Sequence, residues 1–177
     1  VISGQRARHI AKELAEKLNS SIKNNISKNI KFGLAFSGGV DSTLIAFICK
    51  QLKKDFRLYT VSIGEKEDVL WAKRVANNLK LPITTKNIDF DEALETIKKV
   101  CSILQTDHPV KIGIGCTLYS VFNLIKNDSF ENVVTGLGSD TLFCGFEKHK
   151  KAFENGTLAQ ECLNGISKIY DNDVKRD

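Results

Sequence analysis

From Lys31 to Thr135, short apolar runs alternate with longer stretches of helical spacing, and that alternation leaves few folds open. Lys31–Phe36, Phe56–Ile63, Ile83–Ile88 and Asn132–Thr135 read as strands. Between them, helices are predicted from the end of the Gly38-Gly39 turn to about Lys53, over Lys66–Lys80, from an Asp89 N-cap to about Leu104, and over Thr117–Lys126 behind Gly113 and Gly115. A leading helix over residues 5–24 repeats Ile10, Leu14, Leu18 and Ile22, and helices from about Thr141 and over Leu158–Tyr170 follow the last strand. Trp71 is expected to pack on the sheet. Strands alternating with helices predict an α/β fold, a doubly wound parallel sheet with helices on both faces. Ligands of such sheets gather at the carboxyl ends of the strands, near the switch in strand order. The loops at that edge are residues 37–43, 63–65 and 135–140.

The first of these loops carries the strongest chemistry. Residues 36–43 read Phe-Ser-Gly-Gly-Val-Asp-Ser-Thr between an apolar run and the helical positions Leu44, Ile45, Ile48 and Leu52. Backbone N–H groups of a turn and first helical turn lack intrahelical partners and converge on one spot, where the helix dipole adds positive character. The result suits an anion, phosphate above all. Gly38 and Gly39 let backbone approach a ligand, and Ser37, Ser42 and Thr43 add hydroxyl donors. Asp41 would repel a phosphate unless a hard cation such as Mg²⁺ came between them. A plain strand–turn–helix joint capped by Ser and Asp uses the same residue types; the full octet behind an apolar strand weighs toward phosphate. Neither a Walker A loop nor a Gly-x-Gly-x-x-Gly fingerprint is present.

A second glycine loop, Gly136-Leu137-Gly138-Ser139-Asp140, ends the strand at Thr135 and places Asp140 where a helix begins. Alone it reads as an N-cap after a turn. Coupled to the first loop, Asp140 becomes a second carboxylate for the cation, and two carboxylates around one ion would offset the charge of a triphosphate.

The octet resembles the PP-loop of the ATP pyrophosphatases, Ser-Gly-Gly-x-Asp-Ser, whose members cleave ATP between the α and β phosphates. Joined to Gly136–Phe146, and to Ile112–Cys116, it resembles the synthetase domain of asparagine synthetases and of archaeal asparagine-synthetase-like proteins, over about residues 5–170. The resemblance implies an adenine nucleotide alpha hydrolase-like fold and one ATP-pyrophosphatase domain over residues 1–177, shortened at its carboxyl end and without a glutaminase domain. It implies an ATP- and Mg²⁺-dependent, amide-forming ligase that adenylates a carboxylate and passes it to ammonia or an amine. Ser37, Gly38, Gly39, Asp41 and Ser42 would hold the pyrophosphate and its magnesium, with the Thr43 hydroxyl as a further nucleotide contact. Phe36 and Ile63 would meet the nucleoside, partly through backbone, and Thr135 and Gly136 the ribose or α-phosphate side. Asp41 and Asp140 would be the metal ligands and the catalytic pair. Leu137 and Thr141 stand where asparagine synthetases usually carry Glu, so asparagine formation itself is not implied.

The remaining residues set bounds. His108 and Lys111 are secondary candidates for an acyl substrate or phosphate; Lys148, His149 and Lys150 read as a solvated helix face, or as phosphate contacts if that helix covers the site. The net charge of +5 suits small anions, and no basic stripe interleaved with aromatics marks nucleic acid. The five cysteines contain no Cys-x-x-Cys pair, which removes zinc spacing and fits a reducing, cytoplasmic setting. No run is long enough to span a membrane, and the start at Val1 with no methionine anywhere is what a processed or partial chain is expected to show. Three further readings stay open: a tRNA-modifying PP-loop enzyme, a nucleotide-binding module without amidation, and a piece of a larger synthetase. A homodimer and a separate glutaminase or ammonia source are the partners left open.

Overall fold

The computed structural model describes residues 4–27, 29–64 and 67–174, with side chains to residue 167. Lys28, Glu65 and Lys66, the last two of which the sequence assigns to the loop and helix after the second strand, lie outside the described residues. The elements are α1 (Gly4–Asn25), β1 (Phe32–Ala35), α2 (Val40–Gln51), β2 (Phe56–Ile63), α3 (Glu67–Leu79), β3 (Ile83–Ile88), α4 (Phe90–Leu104), α5 (Pro109–Asn127), β4 (Asn132–Val134), α6 (Ser139–Leu142), α7 (Glu147–Glu154) and α8 (Leu158–Val174). They fall into two compact units, residues 1–135 and 136–177.

The first unit is built on a four-stranded sheet of order β3-β2-β1-β4, parallel at every pairing. Phe32 lies opposite Phe56 on one side and Asn132 on the other, which fixes the register around β1. Alternation along β1 feeds two cores, because successive side chains point to opposite faces. Phe32, Leu34 and Phe36 pack with Ala46 and Cys49 of α2 and with Ala72 and Ala76 of α3. On the opposite face Tyr59 packs with Val121 and Ile125 of α5, joined by Ala35 and Val133. Gly33 is part of that fit: a Cβ there would stand 2.5 Å from Ile125 Cγ2. Helices therefore cover both faces, as the alternation predicts.

Asp89 caps α4 as expected, its carboxylate accepting the Glu92 N–H at 2.9 Å. Helix α5 departs from expectation. It begins at Pro109, not Thr117, and runs through Gly113 and Gly115. Pro suits the first helical position, and Gly115 is required by packing, since a Cβ there would stand 2.7 Å from Val100 Cγ1 and 3.0 Å from Leu104 Cδ1 of α4. The glycines that read as breakers are one side of a close helix–helix contact.

In the second unit, the single helix expected from about Thr141 is two, α6 and α7, separated by a turn at Phe143–Phe146. Thr141 of α6 faces Gly165 of α8, where a Cβ would stand 2.9 Å from the threonine methyl carbon. Among the described residues, no helix is long and apolar enough to cross a membrane.

Candidate functional site

Strand β1 delivers the chain to the carboxyl edge of the sheet, where the Phe36 N–H donates to Tyr59 O at 2.8 Å and the ring is buried. The turn that follows is held by its own hydroxyls. Ser37 Oγ accepts the Gly39 N–H at 3.2 Å, stands 3.3 Å from Ser42 Oγ, and Ser42 Oγ donates to Gly39 O at 3.3 Å. Gly38 takes φ +75°, a conformation that disfavours any residue with a Cβ. A Cβ at Gly38 would also meet Trp71 Cδ1 at 3.0 Å and the Ala72 Cα at 3.1 Å.

Trp71 is a correction. Its side chain is not packed on the sheet; it is half exposed, and its indole N–H donates to Gly38 O at 3.1 Å. Sequence reasoning missed this role, although the signal was available: Trp71 lies off the buried stripe of α3, Val69, Ala72 and Ala76.

Helix α2 starts at Val40 behind Gly39, and no side chain caps it. Its first-turn N–H groups are therefore not covered by a cap, at the positive end of the helix dipole. Asp41 is half-buried in that first turn, and Ser42 is buried. Thr43 Oγ1 is buried without a hydrogen-bond partner. An orphan hydroxyl, an uncapped helix start and a glycine cradle form a turn preorganised for an acceptor-rich anion. This is the donor chemistry a nucleotide phosphate requires.

Neighbouring strands bring two more of the expected residues to the same edge. Ile63 ends β2 with its side chain half exposed, and Gly64 follows at φ +78°. Thr135 follows β4, which pairs directly with β1. One polar pair at this edge escaped the sequence reading: Ser62 Oγ donates to Asn87 Oδ1 at 2.8 Å across β2 and β3. His108 and Lys111 are exposed at the start of α5.

The second loop belongs to the second unit. Gly138 takes φ +92°, and Ser139 Oγ donates to Gly136 O at 2.7 Å. Asp140 is exposed in the first turn of α6, and its carbonyl accepts the Gly145 N–H at 2.8 Å. Leu137 is 69 % exposed. On α7, His149 is not part of a solvated face: it is buried against Phe146, and its Nδ1 accepts the Phe146 N–H at 3.3 Å. Lys148 pairs with Glu161 at 2.7 Å, while Lys150 stays exposed. Among the described residues, no three His, Cys, Asp or Glu side chains cluster closely enough to hold a metal by themselves. Mg²⁺ does not require such a cluster, because one or two carboxylates plus substrate phosphates and water suffice. The Asp41 carboxyl, in the first turn of an uncapped helix start, fits that mode.

Comparison with known proteins places this geometry in a family context. A family model described as asparagine synthase matches residues 13–168. A putative glutamine-hydrolysing asparagine synthetase of Methanocaldococcus jannaschii is 33% identical over 150 residues, which are 83% of this chain and 28% of that protein. A glutamine-hydrolysing asparagine synthetase of Gallus gallus is 29% identical over 154 residues, 82% of this chain and 27% of that protein. The chain thus spans little more than a quarter of the length of these relatives. Among solved structures, an NMN synthetase from Francisella tularensis superposes with a TM-score of 0.53 at 15% identity, over 78% of this chain and 58% of that one, a likeness of fold.

Proposed function

The chain belongs to the asparagine synthase family, and from that premise we propose that it binds ATP with Mg²⁺ and cleaves it between the α and β phosphates to adenylate a carboxylate. The observation that carries this reading is the turn at residues 36–43, where an uncapped helix start and the partnerless Thr43 hydroxyl await an acceptor. The β and γ phosphates would lie on the first-turn N–H groups of α2 and on the hydroxyls of Ser37, Ser42 and Thr43. Gly38 and Gly39 would admit them without a Cβ in the way. Adenosine would meet the backbone of Phe36 and Ile63, with Thr135 and Gly136 on the ribose or α-phosphate side.

Asp41 and Asp140 are our candidates for the metal carboxylates. Bound there, Mg²⁺ would neutralise charge on the pyrophosphate as it leaves. A substrate carboxylate oxygen would attack the α-phosphorus with release of pyrophosphate, and ammonia or an amine would then displace AMP. The chain's residues position the reactants and stabilise the leaving group, with no covalent role of their own. A separate glutaminase or free ammonia would supply nitrogen, and a homodimer is the assembly we would test first. The free thiols suit the cytoplasm.

A second reading rests on Leu137 and Thr141, which place an exposed apolar side chain and a hydroxyl in the second loop where asparagine synthetases usually carry acids. On that reading the chain binds nucleotide without forming an amide. ATP–pyrophosphate exchange across candidate carboxylates separates the two. Asp41→Asn should abolish exchange while the circular dichroism spectrum is unchanged. Exchange at the parent rate in that variant would overturn the metal assignment, and tight ATP binding with no exchange for any carboxylate would favour the second reading.

A further inference from the structure

Cys144 and Cys162, separated by 18 positions in the second unit, bring their Sγ atoms to 3.1 Å. Both are free thiols, and both are half-buried, within reach of small reagents. Cys144 lies in the turn between α6 and α7 at φ +62°, and Cys162 lies in α8. A disulfide needs about 2.05 Å between sulfurs, so closure asks for a movement of about 1 Å. Helix α6 already rests on α8 through Thr141 and Gly165. A covalent bond would fasten what packing holds together.

We propose that Cys144 and Cys162 form a dithiol–disulfide pair, oxidised reversibly by a small-molecule disulfide, and that the bond fixes the turn carrying Asp140. In the first exchange, the thiolate of one cysteine attacks a sulfur of the small disulfide. That S–S bond breaks, one small thiolate leaves with the electron pair, and a mixed disulfide remains on the protein. The thiolate of the second cysteine then attacks the protein-bound sulfur and expels the second small thiolate. The two protons lost by the cysteines are taken up by the leaving thiolates. The protein pair gives up two electrons and the small disulfide gains two.

The link to Asp140 is short. The Gly145 N–H, next to Cys144, donates to Asp140 O at 2.8 Å. A Cβ at Gly145 would collide with Asp140 Oδ1. The segment from Asp140 to Gly145 is a tight turn, so tethering Cys144 restrains the residues around it. Cys49 is an internal control: it is fully buried, so small reagents cannot reach its sulfur.

The test is equilibration of the full chain with mixtures of oxidised and reduced glutathione, followed by alkylation and peptide mapping by mass spectrometry. The expected result is loss of two of the five thiols, found as a Cys144–Cys162 crosslinked peptide lacking two hydrogens and carrying no glutathione. Dithiothreitol should restore both thiols. In the oxidised form, hydrogen exchange should slow at backbone amides 139–145. A persistent glutathione adduct on Cys144 or Cys162, or no reaction where a model dithiol peptide is oxidised, would overturn the pair. Crosslinking with unchanged exchange at residues 139–145 would overturn its effect on the turn. Cys144→Ser should convert the Cys162 product to a stable adduct. Neither readout uses ATP, so the result stands apart from the nucleotide reading.

Discussion

Replacing Gly38 by alanine should damage the first unit, and the size of the effect can be worked out from geometry. The residue holds φ +75°, which costs an L-residue about 1–2 kcal/mol. The new methyl would stand 3.0 Å from Trp71 Cδ1 and 3.1 Å from the Ala72 Cα. The indole can swing aside, but the Ala72 backbone lies within a packed helix and cannot. Overpacking of this kind costs typically about 1–3 kcal/mol. Displacing the indole also strains the bond from Trp71 Nε1 to Gly38 O, 3.1 Å long and worth about 1 kcal/mol. The sum is about 3–6 kcal/mol, a large share of the stability of an ordinary domain.

Gly39→Ala is the matched control. Its φ of −71° is open to any residue, and its Cβ would meet only Ser37 Oγ, at 3.2 Å. That change should cost under about 1 kcal/mol. Urea unfolding followed by Trp71 fluorescence is the assay, because Trp71 is the only tryptophan in the sequence and touches the mutated turn. Equal midpoints for the two variants, or a less stable Gly39→Ala, would refute the assignment of strain to Gly38.

Three further outcomes follow from buried groups and close contacts. Thr43→Val removes a buried hydroxyl that has no partner, so the free protein should gain up to about 1 kcal/mol in urea unfolding, while ATP affinity by calorimetry falls about tenfold. Burial, with the hydrogen bond to Asp128 adding to it, pushes the Tyr59 hydroxyl up to about 12. The folded state thus prefers the protonated phenol, and that stability, present in full below the unfolded value near 10, drains away as pH rises from about 10 to 12; Tyr59→Phe should flatten the fall in unfolding free energy over that window. Gly115→Ala should destabilise by about 1–2 kcal/mol, since overpacking against Val100 and Leu104 outweighs the gain in helix propensity. Gly113→Ala, which meets nothing within 4 Å, should stabilise by up to about 1 kcal/mol; thermal melts of both variants test the pair.

The parts of the fold that local chemistry dictates were legible. The strand Phe56–Ile63 has the same bounds in the sequence reading and in the structure, because its apolar residues and the closing Gly64 are local signals. The Asp89 cap is another, a short-range hydrogen bond written in adjacent residues. What failed was set by distant partners. Gly115 reads as a breaker until Val100 and Leu104 are seen pressing on it. Trp71 reads as a core residue until its indole is found on the Gly38 carbonyl, 33 positions away. The turn at residues 36–43 was legible as a strand–turn–helix joint, while the orphan state of the Thr43 hydroxyl depends on what buries it. The approach of Cys144 to Cys162 follows from how α8 returns to α6, and no spacing rule encodes it.

The strand order also carries a kinetic consequence. β1 pairs early in the chain with β2, but its other neighbour is β4, so Phe32 must find Asn132, about a hundred positions on. Loop-closure entropy must be overcome before that pairing returns any energy. A refolding chain can therefore assemble the three strands β1, β2 and β3, with the turn at residues 36–43 at their rim, before β4 joins them. The sheet is thus assembled in two instalments, and the later one waits on its strand pairing of longest sequence separation.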